Sequence, residues 1–301
     1  MKFISNPKKY EQNYLENLND CFPNWGNMET YNWVINRDFN GIKPDFFIIK
    51  NDENQTLAGS AISYRKLKFQ DNSYKEIGIM TGSWTLPISR GMGCFTQTIK
   101  KSSELVVLQK MPFLTAFVTQ SNASFRRLQD AGSHLIATNY IISEHLQNNN
   151  YKKNNEVEIL ENNPENKRLI FNMRKQLLTN KIHFDYNFND YENQFINRLN
   201  PVFLLNINKE YAIIEETPQI FQLHFSSNYS LSNIEKIVNW ANSFGKEIIF
   251  FTTNIDNEFV DSKNYKIVEG YFTILKNEIS EKLDYKAIFD KEFNIEYGDK
   301  M

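Results

Sequence analysis

Only two cysteines occur in the 301 residues, Cys21 and Cys94, far apart and with no ligand-type spacing to each other or to the four histidines. That argues against a disulfide framework and a zinc site, so no metal is expected and both thiols read as small buried hydrophobes. Charge of one sign is lacking as well: 34 Lys and Arg stand against 36 Asp and Glu, a net charge of -2. Without a basic excess nothing steers the protein towards nucleic acid or an anionic membrane, and neither is expected as a partner. No apolar run approaches the roughly 20 residues that cross a bilayer, and the opening MKFISNPKKYEQNYL holds no continuous apolar stretch of signal-peptide length. A soluble, cytoplasmic protein is the expectation.

The chain is long enough for two domains of ordinary size, each with its own core. Tyr10, Tyr14, Leu15, Leu18, Cys21 and Phe22 recur at spacings of about three and four, one face of an amphipathic helix, and METYNWVINRDF predicts a second. DFFIIKN and TLAGSAISYRKLKF, separated by the polar DENQ, read as a hairpin, and YKEIGIMTGSWTL as a third strand. A helix from about Cys94 to Gln109, the strand PFLTAFVT, a helix from about Ser121 to Ala131 and a strand HLIATNYIIS complete this half. The polar, Asn-rich stretch from His145 to Lys167 is a linker, or a linker with an edge strand. After it the same order returns: the helical RLIFNMRKQLL, the strands PVFLLNIN, EYAIIEE and IFQLHF, and the helix LSNIEKIVNWANSFG. The strand EIIFFTT, a short helix near DNEFVD and a closing strand KIVEGYFTILKN follow. One architecture used twice is expected, with domains at 1–146 and 165–301 joined by 147–164.

The stretch WTLPISRGMGCFTQTIKK turns from a strand through two glycines into a helix. Such a turn sets free backbone N–H groups at the positive end of the helix dipole, and Gly91 and Gly93, lacking a Cβ, let an anion approach closely. Three or four charge-assisted bonds of about 1.5–3 kcal/mol each would anchor a pyrophosphate, with Arg90 adding a side-chain charge. Pro87, Arg90, Gly91 and Gly93 in this context resemble the acetyl-CoA pyrophosphate loop of the GCN5-related N-acetyltransferases. The order of elements over residues 1–145 is similar to that family's too, as is its second motif, seen here in SNASFRRLQDAGSH. The resemblance implies an α/β (α+β) fold with a mixed central sheet flanked by helices, present twice in tandem. The departures are Phe95 where Gly or Ala is usual, Ser133 where Phe is usual, Asn122 one place off register, and Leu128 where many members carry a Tyr that protonates the leaving thiolate.

What the resemblance further implies is acetyl-CoA as co-substrate and direct attack on its thioester by a primary amine of a small or medium-sized acceptor, without a covalent enzyme intermediate. A backbone amide of Trp84, Thr85 or Leu86 would polarise the acetyl carbonyl, Thr85 being the one taken as catalytic, and Glu76 is the candidate base. Arg90, Gly91, Met92, Gly93, Cys94 and Phe95 would hold the pyrophosphate, and Asn122 the pantetheine arm. Tyr64 is a candidate for the acceptor site or an ordinary aromatic. In the second half the corresponding loop, SSNYSLSNIEK, has no glycine, so no CoA is expected there; Glu215, Glu216, Tyr211, Phe221 and Trp240 are candidates for an acceptor cleft or for core. Two alternatives stand beside the acetyltransferase: an aminoacyltransferase of the Fem type, and a non-catalytic scaffold on the same fold.

Overall fold

The structure is a computed structural model and describes residues 1–144, 156–253, 262–280 and 293–300, with Phe259 and Phe289. Its elements begin with β1 (Lys2–Ser5), α1 (Glu11–Cys21), α2 (Met28–Val34), β2 (Asp45–Lys50), β3 (Thr56–Lys68) and β4 (Tyr74–Thr85). Next come α3 (Cys94–Leu108), β5 (Phe113–Thr119), α4 (Ala123–Asp130), β6 (His134–Ala137), β7 (Asn139–Ser143) and β8 (Glu158–Leu160). Then follow α5 (Pro164–Leu177), β9 (Ile182–Phe184), α6 (Phe188–Tyr191), β10 (Val202–Ile207), β11 (Glu210–Glu216) and β12 (Phe221–Ser226). The last are α7 (Leu231–Asn242), β13 (Ile248–Thr252), β14 (Tyr265–Val268), β15 (Gly270–Lys276) and β16 (Phe293–Asn294).

The chain divides into two compact units. The first comprises Met1–Leu67, Ser73–Leu135 and Phe272–Ile288. Among the described residues one sheet runs β1-β2-β3-β4-β5-β15-β6, with β9 off this path on β3 and β16 on β9. Tyr14, Leu15 and Leu18 form the buried stripe that the spacing of α1 predicts, and they pack with Tyr31, Ile35, Ile48, Ala61 and Trp84. Tyr14 stands edge-on to Tyr31, Phe46 and Trp84. Such aromatic contacts fix ring orientation as well as burying area.

The second unit comprises Lys68–Asn72, Ile136–Tyr271 and Phe289–Met301. Its seven-stranded sheet runs β14-β7-β13-β12-β11-β10-β8. Ile234, Ile237, Val238, Trp240 and Ala241 of α7 cover Phe221, Leu223 and Phe250 of the sheet, which makes Phe221 and Trp240 core residues. Both sheets are mixed and flanked by helices, and β8 is the edge strand that the Asn-rich stretch could carry.

Two runs expected as single strands are each broken. HLIATNYIIS splits at Thr138 into β6, in the first unit's sheet, and β7, in the second's; KIVEGYFTILKN splits at Glu269 into β14 and β15 in the opposite sense. An apolar run carries no mark of a change of sheet, so periodicity alone reads through both breaks. The helix expected near DNEFVD lies outside the described residues apart from Phe259.

Candidate functional site

The site is built where β4 and β5 part. Their parallel pairing covers Gly78 with Leu114 and Ile79 with Thr115, yet β4 continues to Thr85 and β5 to Thr119. Within the parted length Gly82 takes a φ of +51°, and the Tyr14 hydroxyl donates to its carbonyl at 2.9 Å. A left-handed residue inside a strand marks a bulge, and glycine takes that conformation without strain. Because C=O and N–H of one peptide unit point opposite ways, the grip of Tyr14 on the Gly82 carbonyl also sets the direction of the Ser83 N–H. The sequence reading missed Gly82 and the use of the Tyr14 hydroxyl, although an isolated glycine in a strand pattern is a recognised sign of a bulge.

Of the amides expected to polarise a carbonyl, that of Leu86 is engaged, donating to Leu57 O at 2.9 Å. The Trp84 ring is buried in the core beneath α1. The Thr85 hydroxyl is buried without a partner among the described residues, and the Thr85 carbonyl accepts from the Cys21 thiol at 3.3 Å.

Past Thr85 the chain makes a short turn of 3-10 helix at Pro87–Ser89 and enters α3 through Gly91 and Gly93, with φ of +83° and +76°. A Cβ on either glycine would meet nothing within 4 Å. The N–H groups of Gly91, Gly93, Cys94, Phe95 and Thr96 have no acceptor among the described residues, and Gly93, the N-cap of α3, offers no side chain to satisfy them. This is a row of donors at the positive end of a 15-residue helix, with open space in front. Arg90 and Met92 lie exposed on the same loop, while the Ser89 hydroxyl is buried and unpartnered among the described residues. Burial pushes the Cys94 thiol up, so it stays protonated and is no nucleophile.

The other expected residues fall differently. Asn122 caps α4, its Oδ1 accepting from Ser124 N at 3.0 Å and from the Ser124 hydroxyl at 2.8 Å. Leu128 is buried on the same helix, and Arg127 pairs with Asp130 at 3.7 Å. Glu76 is exposed on β4, ahead of the paired Gly78–Ile79, roughly 10 Å along the strand from the point of parting. Tyr64 is fully buried, its hydroxyl bonded to Asp45 Oδ2 at 2.5 Å. That leaves it no role towards an acceptor.

In the second unit β12 and β13 part in the same manner: parallel pairing covers Phe221 with Ile248 and Gln222 with Ile249, then stops. Here the helix start is closed. The Ser230 side chain caps α7, Tyr229 Oη accepts from Ser226 N, and Asn233 Nδ2 donates to Asn228 O at 2.8 Å. Glu215 is buried between Arg198 Nε at 2.6 Å and His224 Nε2 at 2.9 Å, and Asn200 donates at 2.7 Å. Burial opposes ionisation of Glu215, but the bonds from His224, Arg198 and Asn200 outweigh it and hold the carboxyl down at about 2. Burial, reinforced by Arg198, pushes the His224 imidazole down to about 3, so it is neutral and donates from Nε2.

Among the described residues no cluster of His, Cys, Asp or Glu is suited to a metal ion, and no helix is long and apolar enough to cross a membrane. No family model and no curated protein matches the chain. Solved structures do. A GCN5-related N-acetyltransferase from Anabaena variabilis ATCC 29413 aligns with a TM-score of 0.61 at 15% identity, over 91% of this chain and 72% of that one. One from Kribbella flavida aligns with a TM-score of 0.59 at 9% identity, over 90% of this chain and 71% of that one. At such identities the likeness is one of fold, and the fold of this chain is that of the GCN5-related N-acetyltransferases.

Proposed function

We propose that the chain is a CoA-dependent N-acyltransferase that moves an acetyl group from acetyl-CoA to a primary amine of a small or medium-sized acceptor, by direct attack in a ternary complex. The observation that carries this reading is the set of free amides of Gly91, Gly93, Cys94, Phe95 and Thr96, immediately beyond the parted end of β4. An anion held there by Gly91, Gly93, Cys94 and Phe95, with Arg90 and Met92 alongside, leaves the parted strands to receive an extended arm. Acetyl-CoA supplies a pyrophosphate, such an arm and an activated carbonyl. Asn122, at the start of α4, is the candidate partner for that arm.

Within the parting, the amides of Ser83, Trp84 and Thr85 are the candidates to polarise the carbonyl, and the partnerless Thr85 hydroxyl is a further donor. A preorganised donor at such a point contributes about 2.7–4 kcal/mol in other acyl-transfer sites. The acceptor amine must lose a proton, and Glu76 is the carboxylate of β4 that can take it. Its place ahead of the paired segment means the proton arrives through water. With Leu128 buried on α4, no hydroxyl of that helix position protonates the leaving thiolate; a thiol of pKa near 8.5 leaves readily enough for water to serve.

Calorimetric titration with acetyl-CoA tests the reading. One site of about micromolar affinity is expected; absence of binding would make the loop a relic and return attention to the Fem-type and scaffold alternatives. Glu76→Gln is expected to lower turnover several-fold and shift its pH profile while leaving acetyl-CoA affinity unchanged. A full-rate variant removes Glu76 from the role.

A further inference from the structure

The final described segment of the chain is held as a bound peptide is held. β16 adds alongside β9 in parallel, Phe293 facing Ile182 and Asn294 facing His183. Beyond it every residue from Ile295 to Asp299 is buried, which a covering edge segment, with one face to solvent, would not be. Glu296, Gly298, Asp299 and Lys300 each have a polar partner on the second unit. Arg174 of α5, 2% exposed, donates from Nε to Glu296 Oε2 at 2.6 Å and brings Nη2 within 3.5 Å of Asp299 Oδ1, to which the Tyr186 hydroxyl also donates at 3.1 Å. Gln194 Nε2 donates to Gly298 O at 2.6 Å and to Lys300 O at 3.2 Å, and Lys300 Nζ donates to the Tyr140 hydroxyl at 2.9 Å.

The Tyr297 ring marks where the segment lies. Its centroid is 5.7 Å from that of His224 on β12, 5.2 Å from Phe251 on β13 and 6.1 Å from Tyr140 on β7. Of these strands β12 and β13 flank the parting that begins after Gln222 and Ile249, and β7 lies beside β13, so the Tyr297 ring lies over the second unit's open strand pair. Gly298 passes so close that a Cβ there would lie 2.2 Å from Phe195 and 3.0 Å from the His224 carbonyl. Strand addition supplying main-chain affinity, with separate seats for individual side chains, is a general mode of peptide recognition.

We propose that the second unit is a peptide-binding module whose resident ligand is the chain's own segment Phe293–Lys300, recognised by strand addition on β9, by Arg174 and Tyr186 reading two carboxylates, and by an aromatic seat for Tyr297. The class of ligand is an acidic peptide carrying a Tyr-Gly-Asp turn, and the inference is independent of acyl transfer by the first unit. Among the described residues, strands β10 to β13 pair with one another and make no ladder with the segment.

The test uses a chain ending at residue 292 and a labelled synthetic peptide, FNIEYGDKM. Stoichiometric binding in trans is expected, weakened at least tenfold when the peptide carries Glu296→Ala with Asp299→Ala, which removes both acceptors of the Arg174 and Tyr186 donors, and abolished by Gly298→Ala. A folded truncated chain that ignores the peptide overturns the proposal. Should the truncated chain fail to fold, hydrogen exchange in the intact protein decides. Tail amides exchanging at least tenfold faster than those of β12 and α7 establish local release and support the proposal; exchange at the same rate makes the tail an integral part of the core and overturns it.

Discussion

Two strand pairs in this molecule open in the same way and end differently. β4 and β5 separate after Ile79 and Thr115, β12 and β13 after Gln222 and Ile249. In the first unit, Gly91 and Gly93 leave the next helix start bare, its donors facing open space. In the second, Ser230, Tyr229 and Asn233 satisfy the turn and helix start internally, and Tyr297 and Gly298 lie against the parted strands. The parting is a property of the fold; what decides whether it takes a foreign ligand is the chemistry at its rim. The free amides of the first unit stay open to an acceptor from outside, whereas in the second unit side chains of the same chain already occupy the corresponding positions.

The largest effect that separates the two units should come from Arg174→Met. Removing the cation leaves Glu296 and Asp299 buried without a counter-charge, a loss of about 3–5 kcal/mol from the docked tail. The tail amides should lose hydrogen-exchange protection while acetyl-CoA affinity of the first unit stays as it was; a variant with full tail protection would show the ion cluster to be dispensable.

Gly93→Asp strikes the other rim. A carboxylate where the backbone must approach a phosphate should weaken acetyl-CoA binding by about a hundredfold or more, the equivalent of one or two charge-assisted bonds. Asn228→Asp, in the corresponding loop of the second unit, should change it not at all, since that turn already accepts and donates within itself. Calorimetry on both variants gives the contrast directly, and equal losses would mean that the two loops do the same thing.

How much of this was legible in the sequence follows from the range of the contacts. The glycine loop is a local pattern, strand then turn then helix, and it stands where RGMG placed it. The core stripe of α1 was equally local. The tail was not: Arg174 and Glu296 are 122 positions apart, and neither has a neighbour in sequence that hints at the other. The breaks at Thr138 and Glu269 were hidden because a strand that changes sheet keeps its apolar pattern through the change. Tyr14 illustrates the intermediate case, since its place on the buried face was readable and the use of its hydroxyl was not.

Acidity distinguishes the tail further. Burial pushes the Asp299 carboxyl up to about 7 against the pull of Arg174, with Glu296 adding repulsion and Tyr186 donating a bond; Tyr229 of the loop before α7 also faces it, and Lys181 faces Glu296. A docked carboxyl whose pKa is raised holds a proton that the free one, with an ordinary value of 3.8, has released. Docking therefore strengthens as pH falls through the window between these values, and weakens as pH rises until it levels off above about 7. Peptide affinity measured from pH 5 to pH 8 should fall by up to about tenfold per unit in the lower part of that range. Asp299→Asn in the peptide should flatten the profile; a flat profile with the natural sequence would contradict the assignment.

The smallest expected effect falls on the first unit and concerns direction rather than binding. Tyr14→Phe removes only the hydroxyl that holds the Gly82 carbonyl, a bond worth about 1 kcal/mol, and keeps the ring that packs against Tyr31, Phe46 and Trp84. If that bond aims the Ser83 amide at a reacting carbonyl, its loss should lower kcat for acetyl-CoA turnover about fivefold with KM for acetyl-CoA unchanged, because the free amides of Gly91 and of Gly93 to Thr96 are untouched. A purely structural role would instead appear as a lower melting temperature with kcat intact. The second unit supplies the reference for that distinction, because its parted strands are covered by Tyr297 and need no such aim.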